Sequence, residues 1–197
     1  MNALSQIGIL VITTLGGLYL LVVLLRFLLQ VARADFYNPL SQFIAKATNP
    51  LLLPLRRVIP GLFGLDIACL VLALGVQFAT VFLGMLLVGA INPLLTLAWS
   101  ALGMISMVIY IYFICMIAMI ILSWVAPHTR HPAAMLATQL IRPLCAPVQR
   151  FIPAMGGLDI SPIFVFLFLQ VLRMLVENGA AYLGAVGGIR NLIPGLM

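Results

Sequence analysis

Pro50-Leu51-x-x-Pro54-x-x-Arg57-x-Ile59-Pro60-x-x-x-Gly64-Leu65-Asp66-Ile67 occurs twice in this chain. It returns 93 residues later as Pro143-Leu144-x-x-Pro147-x-x-Arg150-x-Ile152-Pro153-x-x-x-Gly157-Leu158-Asp159-Ile160, with every spacing kept and no gap. Laid over one another, Pro39–Gln77 and Pro132–Gln170 share thirteen identities in thirty-nine positions, mainly Pro, Gly, Arg, Asp and Gln. Two unrelated apolar segments would not agree at such residues, so the chain is an internal duplication and one half explains much of the other. We divide it into residues 1–92 and 93–197.

Outward from the motif the chain turns apolar. Of 197 residues, 64% are hydrophobic and 7% charged, against about 25% charged in a soluble domain. A bilayer is the solvent this composition fits. Ile7–Leu25 is free of charge and long enough to cross about 30 Å of hydrocarbon; Ile67–Ile91, Leu102–Val125 and Ile160–Tyr182 are the other three spans. Asn92–Ser100 reads as a short link, and Trp124 as an interfacial anchor. Leu40–Leu53 and Pro127–Val148 are too short and too polar to span and suit helices lying in the interface, with Pro50 and Pro54 ending or kinking the first. The fold class is therefore all-α membrane protein: four transmembrane helices from two tandem two-helix repeats, each with a Pro-rich interfacial segment.

Charge orients the chain. The segments joining spans one to two and three to four carry eight of the ten basic residues when Arg26, placed to snorkel from the end of the first span, is included. The positive-inside rule then puts both motif segments in the cytoplasm and both termini in the periplasm. With two spans per repeat, the halves share one orientation, related by an axis along the membrane normal. A net charge of +6 raises nucleic acid as a partner, but the cations are few and scattered with no aromatic interleaving, so none is expected. The first span has no basic n-region and is longer than a signal-peptide core, so it is expected to be retained. Cys69, Cys115 and Cys145 have no metal spacing and read as small buried hydrophobes.

The doubled proline motif between apolar spans resembles the YggT (YGGT/YlmG) family of small bacterial inner-membrane proteins, over nearly the whole chain. The resemblance implies an inner-membrane location and links to osmotic tolerance, to cell division and nucleoid distribution, and, through plastid relatives, to haem attachment, with no enzymatic reaction established for the family.

Among individual residues, Asp66 and Asp159 stand where a helix N-cap belongs, and Arg57 and Arg150 are candidates to pair with them across the proline turn. Two readings stand: a structural cap with its ion pair, or, together with Pro50, Pro54, Pro60, Gly64, Pro143, Pro147, Pro153 and Gly157, a cytoplasmic docking surface for a partner. Gln77 and Gln170 lie eleven positions beyond the aspartates, about 16 Å along each helix, near the bilayer midplane; they read as amides bonding across the repeat interface or as the lining of a polar path. Arg173 and Glu177, whose first-repeat equivalents are Thr80 and Gly84, can pair i, i+4 inside the fourth span. His128 and His131 have only a weak claim to a metal or haem, since Arg130 lies between them and no cysteine or carboxylate is near. The tail, Gly184–Met197, reads as flexible, with Ala180, Gly184 and Gly188 as an alternative small-residue packing stripe. No catalytic motif is present, no cofactor is expected, and the reading is an assembly or organising factor with a membrane-protein partner or a second copy as its companion. A small channel or solute transporter is the alternative.

Overall fold

Asn92-Pro93 starts a helix where the sequence alone suggested a link. Proline at a first helical position loses no hydrogen bond, and the Asn92 side chain accepts from Leu95 N at 3.2 Å. In the computed structural model of the chain, which describes residues 2–62, 64–125, 131–151 and 159–196, the elements are α1 (Ala3–Val31), α2 (Pro39–Val58), α3 (Ile67–Val88), α4 (Pro93–Val125), α5 (Pro132–Phe151) and α6 (Ser161–Tyr182), then a short 3-10 turn, Gly187–Leu192. The helices α1, α3, α4 and α6 are long and apolar enough to cross a membrane. Among the described residues there is no named strand, only an isolated bridge between Leu62 and Leu65. The side chain of Trp124 and residues His128, Pro153 and Gly157 lie outside what is described.

The prolines of the motif do not end their helices. α2 runs through Pro50 and Pro54 to Val58, and α5 through Pro143 and Pro147 to Phe151. Spaced four apart, each pair of rings sits on one helix face, and all four prolines are exposed. α2 buries the opposing set Ser41, Ile44, Thr48 and Leu52 against its neighbours. Its lead-in is tied to the start of α5, because Asn38 Nδ2 donates to Pro132 O (2.9 Å) and Asp35 N donates to Gln139 Oε1 (3.0 Å). Both motif segments therefore lie at one end of the bundle, as a tandem of equally oriented repeats requires.

Packing is uneven between the halves. In lipid no hydrophobic force drives helices together, and small residues that let backbones approach matter most. α1 and α3 meet at Gly16, where an added Cβ would overlap the Thr80 side chain, and again at Gly8 against Leu87. The repeat equivalents of Gly16 and Thr80 are Ile109 and Arg173, and α4 and α6 pack less intimately. α3 also packs on α4, so the bundle runs α1, α3, α4, α6 in sequence. α6 packs chiefly on α4 and α5, and no α6–α1 contact matches the extent of the α3–α4 one.

The tail is not a free end either. After α6, Gly184 and Gly187 adopt left-handed backbone at φ 83° and 56° and turn the chain back into the bundle. Leu192, Ile193 and Leu196 bury against Val81, Met85 and Trp99.

Candidate functional site: the doubled proline motif

In the first repeat α2 ends at Val58, and the chain reverses in a tight turn. Leu62 N donates to Leu65 O (3.1 Å) and Leu65 N to Leu62 O (2.9 Å). Gly64 carries a φ of 79°, a conformation that costs an L-residue its Cβ clearance. The turn delivers Asp66 to the start of α3. There its Oδ1 accepts from Cys69 N at 3.2 Å, the capping role expected of it. Its Oδ2 is clasped by an arginine, but by Arg56 and not Arg57: Arg56 Nε donates at 3.0 Å and Nη2 closes the ion pair. A shallow pocket of about 430 Å³ opens here between Gln30, Arg56, Ile59, Gly61, Gly64 and Asp66.

The second repeat makes the same contact with a neutral group. Gln149, the equivalent of Arg56, donates from Nε2 to Asp159 Oδ2 at 2.8 Å, and Ser161 N donates to Oδ1 at 2.9 Å; the N-cap of α6 is Ile160, so Asp159 stands one residue before the capping position expected of it. The Ser161 hydroxyl beside the carboxylate and this N–H, with Gln149 adding to them, hold the Asp159 carboxyl below its ordinary value. Burial pushes the Cys145 thiol on α5 up, and the Asp159 charge adds to this; such a thiol is a packing residue and not a nucleophile. His131 Nδ1 accepts from Ala133 N at the head of α5 (3.3 Å).

The expected pairing of Arg57 and Arg150 with the aspartates is thus corrected by one position. A helix advances 100° per residue, so when Arg56 and Gln149 face the turn their successors point away from it. Arg57 and Arg150 are exposed, as are Pro50, Pro54, Pro60, Pro143 and Pro147. Neither arginine has a polar partner among the described residues.

The intramembrane residues also fall differently. Gln77 is fully buried and donates to Pro194 O of the returning tail at 2.9 Å; no hydrogen bond joins it to the half-buried Gln170 among the described residues. Its Oε1 has no partner among the described residues. Arg173 does pair with Glu177, at 2.7 Å, but Glu177 is shared with Arg190 of the tail at 3.0 Å, and Arg190 in turn donates to Leu196 O at 2.6 Å. Ser106 completes the clasp by donating to Gly195 O at 2.6 Å.

Arg26 does not snorkel to the headgroups in the way its place at the end of the first span predicts. It is buried, and its Nη1 donates to Ala45 O (2.9 Å), Thr48 Oγ1 (2.5 Å) and Asn49 Oδ1 (2.7 Å), bolting α2 onto α1. A signal was present in the sequence: Thr48-Asn49 sits one short loop from Arg26 and offers two adjacent side-chain acceptors.

The family model described as CCB3/YggT matches this chain twice, over residues 5–87 and 98–180, two windows separated by the same 93 residues as the motif. The chain belongs to the CCB3/YggT family. Similar relatives include an uncharacterised Pseudomonas aeruginosa protein, 48% identical over 186 residues covering 92% of this chain and 93% of its own. The Escherichia coli K12 protein YggT, itself described as uncharacterised, is 38% identical over 187 residues, 94% of each chain. A Vibrio alginolyticus protein encoded in the proC 3' region is 40% identical over 185 residues, 90% of this chain and 95% of its own. No solved structure matches. This YggT-family chain is thus a helical protein with four membrane-crossing helices, and its two copies of the family unit each present one proline-arginine face.

Proposed function

We propose that this YggT-family protein is a non-enzymatic assembly or organising factor of the inner membrane, whose two motif faces dock a partner at the cytoplasmic surface. One observation carries the reading. Pro50, Pro54 and Arg57, and their equivalents Pro143, Pro147 and Arg150, are identical in the two halves yet exposed in both. The capping and pairing work around the turns is done by Asp66, Asp159, Arg56 and Gln149 instead. Residues that a fold does not use, held alike in two diverged copies, suit a surface read by something else, and prolines present such a surface at low entropic cost because their φ is already fixed. Arg57 and Arg150 add exposed guanidinium forks suited to carboxylate or phosphate groups.

The test is extraction of the tagged protein in a patch of its native membrane with mass spectrometry of its companions, in wild type and in Arg57→Ala/Arg150→Ala. A companion of different sequence in near-equal amount that is lost in the double variant is the expected result. Full function of that variant, with no companion in the wild type, overturns the reading.

Transport is the second reading, and one observation favours it. Non-helical backbone at Pro194 reaches Gln77, eleven residues into α3, and irregular backbone at that depth belongs where it is buried in protein or lines a cavity. A solute flux from liposomes abolished by Gln77→Leu is the outcome that would select it.

A further inference from the structure

Each repeat begins with a span that has two packing faces. One receives the second span of the same repeat; on α4 the other receives α3. Gln77 sits against Gly103, where an added Cβ would overlap its amide, Val81 and Met85 share a buried cluster with Trp99, and Met107 and Ile111 bury with Leu72 and Ala73. The contact is heterologous, because the second span of one repeat meets the first span of the next. Such an interface does not satisfy both its surfaces within one chain.

The repeat equivalents of Leu72 and Ala73, Val165 and Phe166, pack within the second repeat, but those of the remaining positions are open. Val81 is 0% exposed and its counterpart Met174 63%; Ile111 is 3% exposed and its counterpart Leu18 56%. Leu10 and Thr14, the counterparts of Gly103 and Met107, are exposed as well, and Gln170 is only half-buried where Gln77 is fully so. Along α1 this face is a groove. Gln6, Leu10 and Thr13 line one stretch of about 510 Å³ with Leu192 of the tail, and Thr13, Thr14 and Gly17 line the next, of about 370 Å³, with Pro194 and Gly195. Pro194 of the same chain already takes the space at Gly17, so the open part of the groove is the Leu10, Thr14 and Leu18 side, and the α6 stripe carries an amide at mid-depth.

We infer that this protein self-associates head to tail in the membrane plane, with α6 of one copy seated in the α1 groove of the next, so that the α3–α4 contact within the chain is repeated between chains. Gln170 then lies at the level of Leu10, whose side chain stands where Gly103 admits Gln77, so α6 seats further from α1 than α3 does from α4. The occupant is a second copy because the groove and the stripe are the two halves of an interface this chain already makes once. Self-association in the plane is independent of a cytoplasmic partner, so either proposal can fail alone.

The experiment uses the full chain with Cys69, Cys115 and Cys145 changed to Ala. Leu10→Cys and Gln170→Cys are made separately, given tags of different size, co-expressed, and oxidised in native membranes. The mixed disulfide dimer is expected as the main product, with each variant alone remaining largely uncrosslinked and the double variant forming a ladder beyond dimer. Crosslinking of either variant with itself as readily as with the other, or no crosslinking at all, overturns the head-to-tail geometry. A second measurement needs no substitution: native mass spectrometry of the wild-type chain in membrane patches is expected to show two or more copies, and a single copy refutes self-association.

Discussion

Arg26 offers a test in which two substitutions at one site should differ in a counter-intuitive direction. Its guanidinium is buried with three neutral oxygens of α2 as acceptors and no carboxylate within ion-pair distance among the described residues. Nη1 has two N–H groups shared among the three oxygens, and two hydrogen bonds from a charged donor are worth about 1.5–3 kcal/mol each, but the effective penalty for desolvating the charge is itself several kcal/mol. The two nearly offset. Arg26→Met removes both together, and Met119 already stands at the equivalent position of the second repeat, where the Thr48 and Asn49 counterparts are Ile141 and Arg142. We expect it to cost about 0–2 kcal/mol. Thr48→Val/Asn49→Leu leaves the charge in place and takes away both side-chain acceptors, which should cost about 3–5 kcal/mol, the usual consequence of an uncompensated buried charge. Reversible unfolding by SDS titration in mixed micelles measures both on one scale. If Arg26→Met is the more damaging of the two, the guanidinium is a net source of stability and the argument from desolvation is wrong.

Other outcomes follow from neighbouring geometry. Gly16→Ile, which imports the residue of the second repeat, should destabilise by about 1–3 kcal/mol through overpacking, and Thr80→Ala should recover part of it; strictly additive effects in the same unfolding assay would mean that the two residues do not meet. Deleting residues 192–197 orphans the Gln77 amide and the Ser106 hydroxyl at a cost of about 1–3 kcal/mol for each buried group, and a truncated chain as stable as the full one would show that the tail is not packed. Asp159 has a folded-state pKa below its unfolded value, so its contribution to stability is present above the ordinary carboxylate range and lost as pH falls through the folded value. Asp159→Asn should therefore flatten the acid limb of a stability-pH curve, and a carboxyl carbon titrating at or above the ordinary Asp value in NMR would contradict the hydrogen-bond assignment.

The repeat made the architecture legible from the sequence because it fixes order, span number and relative orientation at once. The capping role of Asp66 was legible too, since it depends only on local spacing; for Asp159 the same spacing misses by one residue, because Ser161-Pro162 starts α6 one residue later and leaves Ile160 at the cap. The partner of Asp66 was not legible. Two adjacent arginines differ by 100° around a helix, and choosing between Arg56 and Arg57 requires knowing that α2 continues through Pro50 and Pro54. A proline pair four apart removes two hydrogen bonds and still leaves the helix standing when packing on the opposite face, here Ile44, Thr48 and Leu52, holds it. The tail defeated local reasoning for a related reason. Its glycines signal freedom in isolation, yet Gly103 and Gly17 on other helices leave the space that Pro194 enters, and no periodicity within fourteen residues reveals a vacancy elsewhere.

The two halves differ where the first and second spans of each repeat meet. In the first repeat Gly16 and Thr80 let α1 and α3 close on each other; in the second, Ile109 stands at the first position, buried with Val165 and Leu169 of α6, and Arg173 at the second, paired with Glu177 on its own helix. The tail packs elsewhere, against Gly17 of α1, Gly84 of α3 and Gly103 of α4. Its Arg190 meets Glu177, which stands where the first repeat has Gly84, while Leu192 lies against Gly84 itself. Glu177 thus holds the tail to α6 through Arg190 in addition to pairing with Arg173 on its own helix. Neutralising Glu177 alone should consequently loosen the tail more than it disturbs α6. In Glu177→Gln, hydrogen exchange at Gly187–Leu196 should rise while Leu169 and its neighbours stay protected; equal protection throughout would break the link between the two features.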